Sequence, residues 1–142
     1  MPNEEDLFHE LSFYTLAHSN QAYFIHQHIV DAFAVQHANE STKTIKLVYG
    51  LLGLCLYLEH GFTGKEVQNV HVFLSKDKSN WPQLLLPKSK VNFSVGEILK
   101  VKEGKERDAA IRKWCETIWK NHRQNHAAIT EWLVTRKVLS PS

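Results

Sequence analysis

The chain has 142 residues, 43% hydrophobic, 23% charged and 11% aromatic, with a formal net charge of +2. That length is one domain of ordinary size, spanning 1–142 and able to bury roughly two thirds of its unfolded surface. The composition excludes a disordered chain, and the balance of charge removes any electrostatic reason to expect nucleic acid or an anionic membrane as a partner.

The beginning, Met1 to Asp6, is acidic and polar. It lacks the basic start and apolar stretch of a secretory signal, so a cytoplasmic location is expected. The most apolar run, Leu47 to Leu58, is interrupted by Gly50 and Gly53. A bilayer needs about 20 residues, so this run reads as a core helix. Cys55 and Cys115 fall on apolar helical stripes and read as small hydrophobes, without a disulfide. No CxxC pair is present, which excludes a cysteine zinc site.

The predicted elements are helices. The first runs from about Glu4 to Ala17, with Asn3 as N-cap and three acidic residues in its first turn. His18-Ser19-Asn20 ends it, and Ser19 can cap a second helix over about Asn20 to Ala38. On that helix Ala22, Tyr23, His26, Ile29, Val30, Phe33, Ala34 and His37 share a broad face. Phe24, Ile25 and Val35 lie opposite, so burial on more than one side is expected. A third helix, about Thr42 to Glu59, is apolar almost all round. It ends at His60-Gly61, where glycine suits a left-handed cap. Gly50 and Gly53 would let another backbone approach closely.

Thr63-Gly64-Lys65-Glu66 is a capping box opening a fourth helix to about Lys76, with Val67, Val70, His71 and Leu74 inward. An extended crossing segment is predicted over about 77–93, pinned by Trp81-Pro82 and by three adjacent leucines, Leu84 to Leu86, that need cover. A second capping box at Ser94 opens a short helix to about Val101. A last helix runs from about Lys105 to Lys137, its stripe passing through Ile111, Trp114, Cys115, Ile118, His122, Ile129, Trp132 and Leu133. The fold class expected is all-α, a bundle of four to five main helices with one extended crossing.

Nine histidines are present, and His26, His37, His71 and His122 project from faces assigned to the core. A buried neutral imidazole with both nitrogens partnered is a structural group; it is also the commonest protein metal ligand. Spacing prunes the second possibility. His26 and His37 are roughly 16 Å apart along the axis, and His26 and His28 diverge by about 200°. A metal site must therefore draw on several helices. His26, His60 and His71 are the candidate ligands for a divalent ion such as zinc, with Glu59 or Asp31 nearby. His122 and His126 have the i,i+4 spacing of a shared ion but lack the H-E-x-x-H glutamate. Asp31 sits off the main stripe and reads either as a surface charge or as a carboxylate orienting a histidine. The four tryptophans read as packing anchors. Phosphate loops, dinucleotide fingerprints and nucleophile elbows are missing from the sequence.

His18 to Tyr23 followed by IHQHIVDAFAVQH (25–37), LEHGFTGKEVQNVH (58–71), Trp81-Pro82 and RDAAIRKWCETIW (107–119) resemble a bacterial family known as domain of unknown function 5946. The resemblance spans nearly the whole chain. It implies a bacterial cytoplasmic helical domain and draws attention to His26, Asp31, Gln36 and His37, which match its usual pattern. Longer relatives carry an extra CxxC segment that this chain lacks, so no zinc role transfers from it. The family brings no established activity.

The expected function is a helical binding domain with a histidine-lined pocket between the second, third and fourth helices. The pocket would take a divalent metal or a small ligand, with His26, Asp31, Gln36 and His37 as contacts. The alternatives are a non-catalytic protein-interaction module with structural histidines and a metal-assisted hydrolase, in which the ion would lower the pKa of water to about 7. Convergence of three ligands would favour metal or catalysis. Dispersed histidines, each with its own partner, would favour the interaction module.

Overall fold

The computed structural model describes residues 3–18, 24–76 and 80–140, and these form seven α-helices and a 3-10 turn, with no strand. Helix α1 (Glu4–Ala17) starts as its sequence dictates. The Asn3 side chain accepts from the Asp6 N–H, and the Asp6 carboxylate returns the bond. Helix α2 (Ile25–Gln36) follows Phe24, a left-handed residue at φ 44° with no side-chain cap. The expected cap at Ser19 lies outside the described residues.

Helix α3 (Thr44–His60) is buried along most of its length and ends at Gly61, φ 70°. Helix α4 (Gly64–Leu74) opens on the predicted Thr63–Glu66 capping box, with both reciprocal bonds made. No described helix is long and apolar enough to cross a membrane.

Residues 80–93 form the extended crossing, which leads into α5 (Val95–Leu99). Cover for the three leucines is not what holds this segment. Leu84 packs on the core, but Leu85 and Leu86 are exposed. Side chains from the bundle instead satisfy the segment's backbone, which has no ladder of its own. The Trp132 indole donates to the Asn80 carbonyl, Asn121 to that of Ser89 and Gln36 to that of Phe93. Trp81 adds ring contacts to Tyr49 and Trp132.

The predicted last helix is two. Helix α6 (Lys105–Asn121) stops at His122, a 3-10 turn spans Arg123–Asn125, and α7 (His126–Thr135) resumes. The apolar spacing runs through the break, so periodicity alone reads one rod. Asn125 interrupts it: buried at the turn, its amide engages both backbone groups of Leu85 on the crossing. A short side-chain amide that finds backbone partners outside its own helix competes with regular helical geometry.

Helix α2 is central, with α1, α3, α4 and α6 all packed against it. Contact with α3 is closest at the two glycines. A Cβ on Gly50 would lie 2.6 Å from Val35 Cγ2, and one on Gly53 would lie 2.0 Å from Asp31 Oδ2. At the other end, Tyr14 joins α1 to α6. Its hydroxyl donates to the Asp108 carboxylate and accepts from the Gly104 N–H, at 2.9 and 3.0 Å. Arg107 lies over the Tyr14 ring and donates to the carbonyls of Leu99 and Val101, closing the C-terminus of α5.

Candidate functional site

The two sides of α2 meet different surroundings. His26, Phe33 and His37 face α1: the His26 ring meets the Thr15 hydroxyl at 3.1 Å, Phe33 stacks on Phe8, and His37 Nε2 lies 3.8 Å from Glu4. His28, Asp31, Ala32 and Val35, spaced i, i+3, i+4, i+7, are buried towards α3 and α6. The deeper face is thus nearly opposite the predicted one. His28 (3% exposed) and Asp31 (4%) are its polar members, whereas of the predicted inward residues Ile29 is fully buried and Val30 is exposed. This removes the surface-charge reading of Asp31.

Asp31 accepts from the Gln27 amide through Oδ1, while Oδ2 rests against Gly53 without a hydrogen-bond partner. Burial pushes its pKa well above the usual carboxylate range, and the Gln27 bond only partly opposes this. One turn earlier, His28 is stacked on Tyr57 at 3.6 Å, and its Nδ1 is also buried without a partner. Burial, then the Arg112 guanidinium, pushes His28 down to about 4, so its ring is neutral near pH 7. The Cys115 thiol lies against the His28 carbonyl, and burial raises it far above the ordinary thiol range. An inert thiol of this kind fits a packing role rather than nucleophilic chemistry. A pocket of about 250 Å³ opens on this centre between α2, α3, the turn into α4, and α6, with Ile25, His28, Tyr57, Phe62, Thr63 and Arg112 around it.

His26, His71 and His126 have separate partners. The Thr15 hydroxyl donates to the Ser12 carbonyl, so it accepts from His26 Nδ1–H. His71 Nε2 donates to the Tyr49 carbonyl and the ring stacks on Tyr49. His126 donates to the Trp119 carbonyl and stacks on that indole. His60 is exposed at the end of α3. His26, His60 and His71 are therefore not assembled, and the described residues contain no group of three His, Cys, Asp or Glu side chains able to hold a metal ion. The His122–His126 spacing is likewise spent, because the helix breaks between them. Gln36 bridges α6 and the crossing, accepting from the Trp114 indole while donating to Phe93. Sequence reasoning missed His28, Tyr57 and Arg112. The available signal was the 28-31-32-35 spacing, obscured because two of its four members are polar.

A second concavity, about 410 Å³, lies between the end of α2, the crossing segment and the end of α6. Its floor includes Val35 and Ile118, and its polar lining includes Lys90, Asn121 and the buried His122. Burial, with His126 nearby, pushes His122 to about 4.

These two imidazoles set a pH dependence. Folding favours their neutral forms, so below 6.5 the unfolded chain binds protons that the folded chain refuses. Their contribution, up to about 3 kcal/mol each, is complete above pH 6.5 and is lost as pH falls towards 4. Asp31 acts in the opposite sense. Its raised folded pKa favours the fold at low pH, and that support fades as pH rises above 3.8. In urea unfolding from pH 4 to 8, Asp31→Asn should gain stability over the wild type as pH rises. A constant difference across the range would mean that Asp31 is ionised in the fold.

A family model described as "Family of unknown function (DUF5946)" matches residues 5–123, which include His28, Asp31, Arg112 and His122. No curated protein and no solved structure matches the chain.

Proposed function

The chain belongs to that family of unknown function, and from this premise we propose that it is a binding domain for a small polar ligand, seated in the pocket between α2, α3, the start of α4, and α6. One observation carries the reading: two buried polar atoms, His28 Nδ1 and Asp31 Oδ2, lie a helical turn apart without a protein partner. Buried polar groups are nearly always paired, because an unmet one costs about 1–3 kcal/mol. Of the two residues, His28 lines the pocket and Asp31 does not.

The volume corresponds to roughly eight waters at about 30 Å³ each, the scale of a ligand with few heavy atoms. Such a ligand would bond to the His28 ring and lie against Tyr57. The Arg112 guanidinium, half exposed and over the Tyr57 ring, favours one that offers acceptor atoms. The other histidines are dispersed, with His26, His71 and His126 each on its own partner, which favours a non-catalytic interaction module as the second reading and gives no support to a metal-assisted hydrolase.

The test is an NMR titration of the imidazole nitrogens with formate, acetamide, imidazole and guanidinium. Formate or acetamide should shift His28 and the Tyr57 ring protons saturably, and His28→Phe, which keeps a flat ring on Tyr57, should abolish the Tyr57 shift while remaining folded. If no probe moves His28, or if the Tyr57 shift survives in His28→Phe, the reading fails and the pair is only a polar part of the core.

A further inference from the structure

The larger groove rests on a chain of hydrogen bonds that determines one proton. Leu85 on the crossing donates its N–H to Asn125 Oδ1 at 2.8 Å, and its carbonyl accepts from Asn125 Nδ2 at 2.7 Å. These two bonds orient the amide, because only its oxygen can receive an N–H and only its nitrogen can serve a carbonyl. The nitrogen's second hydrogen then points at His122 Nδ1, 3.1 Å away. Nδ1 must accept it, so the single proton of the neutral ring sits on Nε2. Nε2 has no hydrogen-bond partner among the described residues, and His122 lines the groove while only 3% exposed.

We propose that this groove is a second binding site, for a small organic monocarboxylate, in which a carboxylate oxygen accepts from His122 Nε2–H. The donor is preorganised: its tautomer is set by backbone, not by solvent, so no reorientation is needed on binding. Burial keeps the ring from becoming a cation, leaving Lys90 at the groove wall to supply the positive charge. Glu40 also lines the groove and would repel a second negative charge on the ligand. Leu86, Pro87 and Val91 offer apolar surface to a short aliphatic or aromatic tail. A donor, one cation, one opposing carboxylate and an apolar floor together select one carboxylate on a hydrocarbon body. The site shares no lining residue with the His28 pocket, so either can fail alone.

Long-range nitrogen–proton correlation on the full chain at pH 7 reads the tautomer directly, and His122 should appear as the Nε2–H form. Titration with propionate and benzoate should then shift its Nε2 saturably, with propionamide binding more weakly. Lys90→Gln, an exposed change that leaves the core intact, should weaken benzoate roughly threefold, the scale of an exposed charge pair. Benzoate should also shift the side-chain amide of Asn121 in the groove, and His122→Phe should abolish that shift. An Nδ1–H tautomer, a non-saturating shift, or equal affinities for benzoate in the wild type and Lys90→Gln would overturn the proposal.

Discussion

Gly53→Ala should destabilise the protein by about 2–3 kcal/mol, the cost of forcing one methyl group into a packed core. The sign is the informative part. In a helix interior, glycine to alanine ordinarily gains about 1 kcal/mol from backbone entropy. Here the new Cβ would stand 2.0 Å from Asp31 Oδ2 and 2.6 Å from its Cγ. The carboxyl cannot simply turn aside, because Gln27 holds its other oxygen and the residue is 4% exposed. Removing the obstacle should reverse the effect: in an Asp31→Ala background, Gly53→Ala should be neutral or stabilising by up to about 1 kcal/mol. A double-mutant cycle in urea measures this coupling. Additive effects of the two substitutions would show that Asp31 is not what keeps position 53 small.

Asn125→Ala should cost about 3–4 kcal/mol. One buried side chain satisfies the N–H and C=O of Leu85 and the Nδ1 of His122. Its loss strands three groups, each worth roughly 1–3 kcal/mol when left unmet, with water recovering some of that at exposed Leu85. The loss should also be local. The Leu85 amide should exchange with solvent much faster than in the wild type, while amides of α3 keep their ranking. Asn125→Asp separates the bonds: it can still accept from the Leu85 N–H but cannot donate to the carbonyl or to an unprotonated Nδ1. His122 should then take up a proton more readily, and its midpoint should rise from about 4. Unchanged Leu85 exchange in Asn125→Ala would mean that the crossing is held by its other anchors alone.

Much of the fold was legible because its signals are local. Asn3 with Asp6 and Thr63 with Glu66 are capping partners three residues apart, and Gly61 ends α3 where a left-handed residue was expected. The close approach at Gly50 and Gly53 was foreseen from the absence of side chains, though not the identity of what approaches. Trp114, Trp119 and Trp132 are buried as packing anchors. The break at His122 was hidden, because an apolar stripe continues at helical spacing through it, and only Asn125's distant partner Leu85 interrupts the rod.

The candidate site was less legible. The sequence marks Asp31 as a carboxylate able to orient a histidine without fixing which one, and it passes over His28. Apolar residues occupy both sides of α2, so periodicity there has no single phase. Which side lies deepest depends on α3 and α6, whose positions no window of a dozen residues contains. Contiguous sequence thus determined where helices start, stop and come close, since capping and glycine geometry act over three or four residues. Only the tertiary structure decided which imidazoles are spent on neighbours and which keep a free nitrogen, because a hydrogen bond needs two groups brought together from far along the chain.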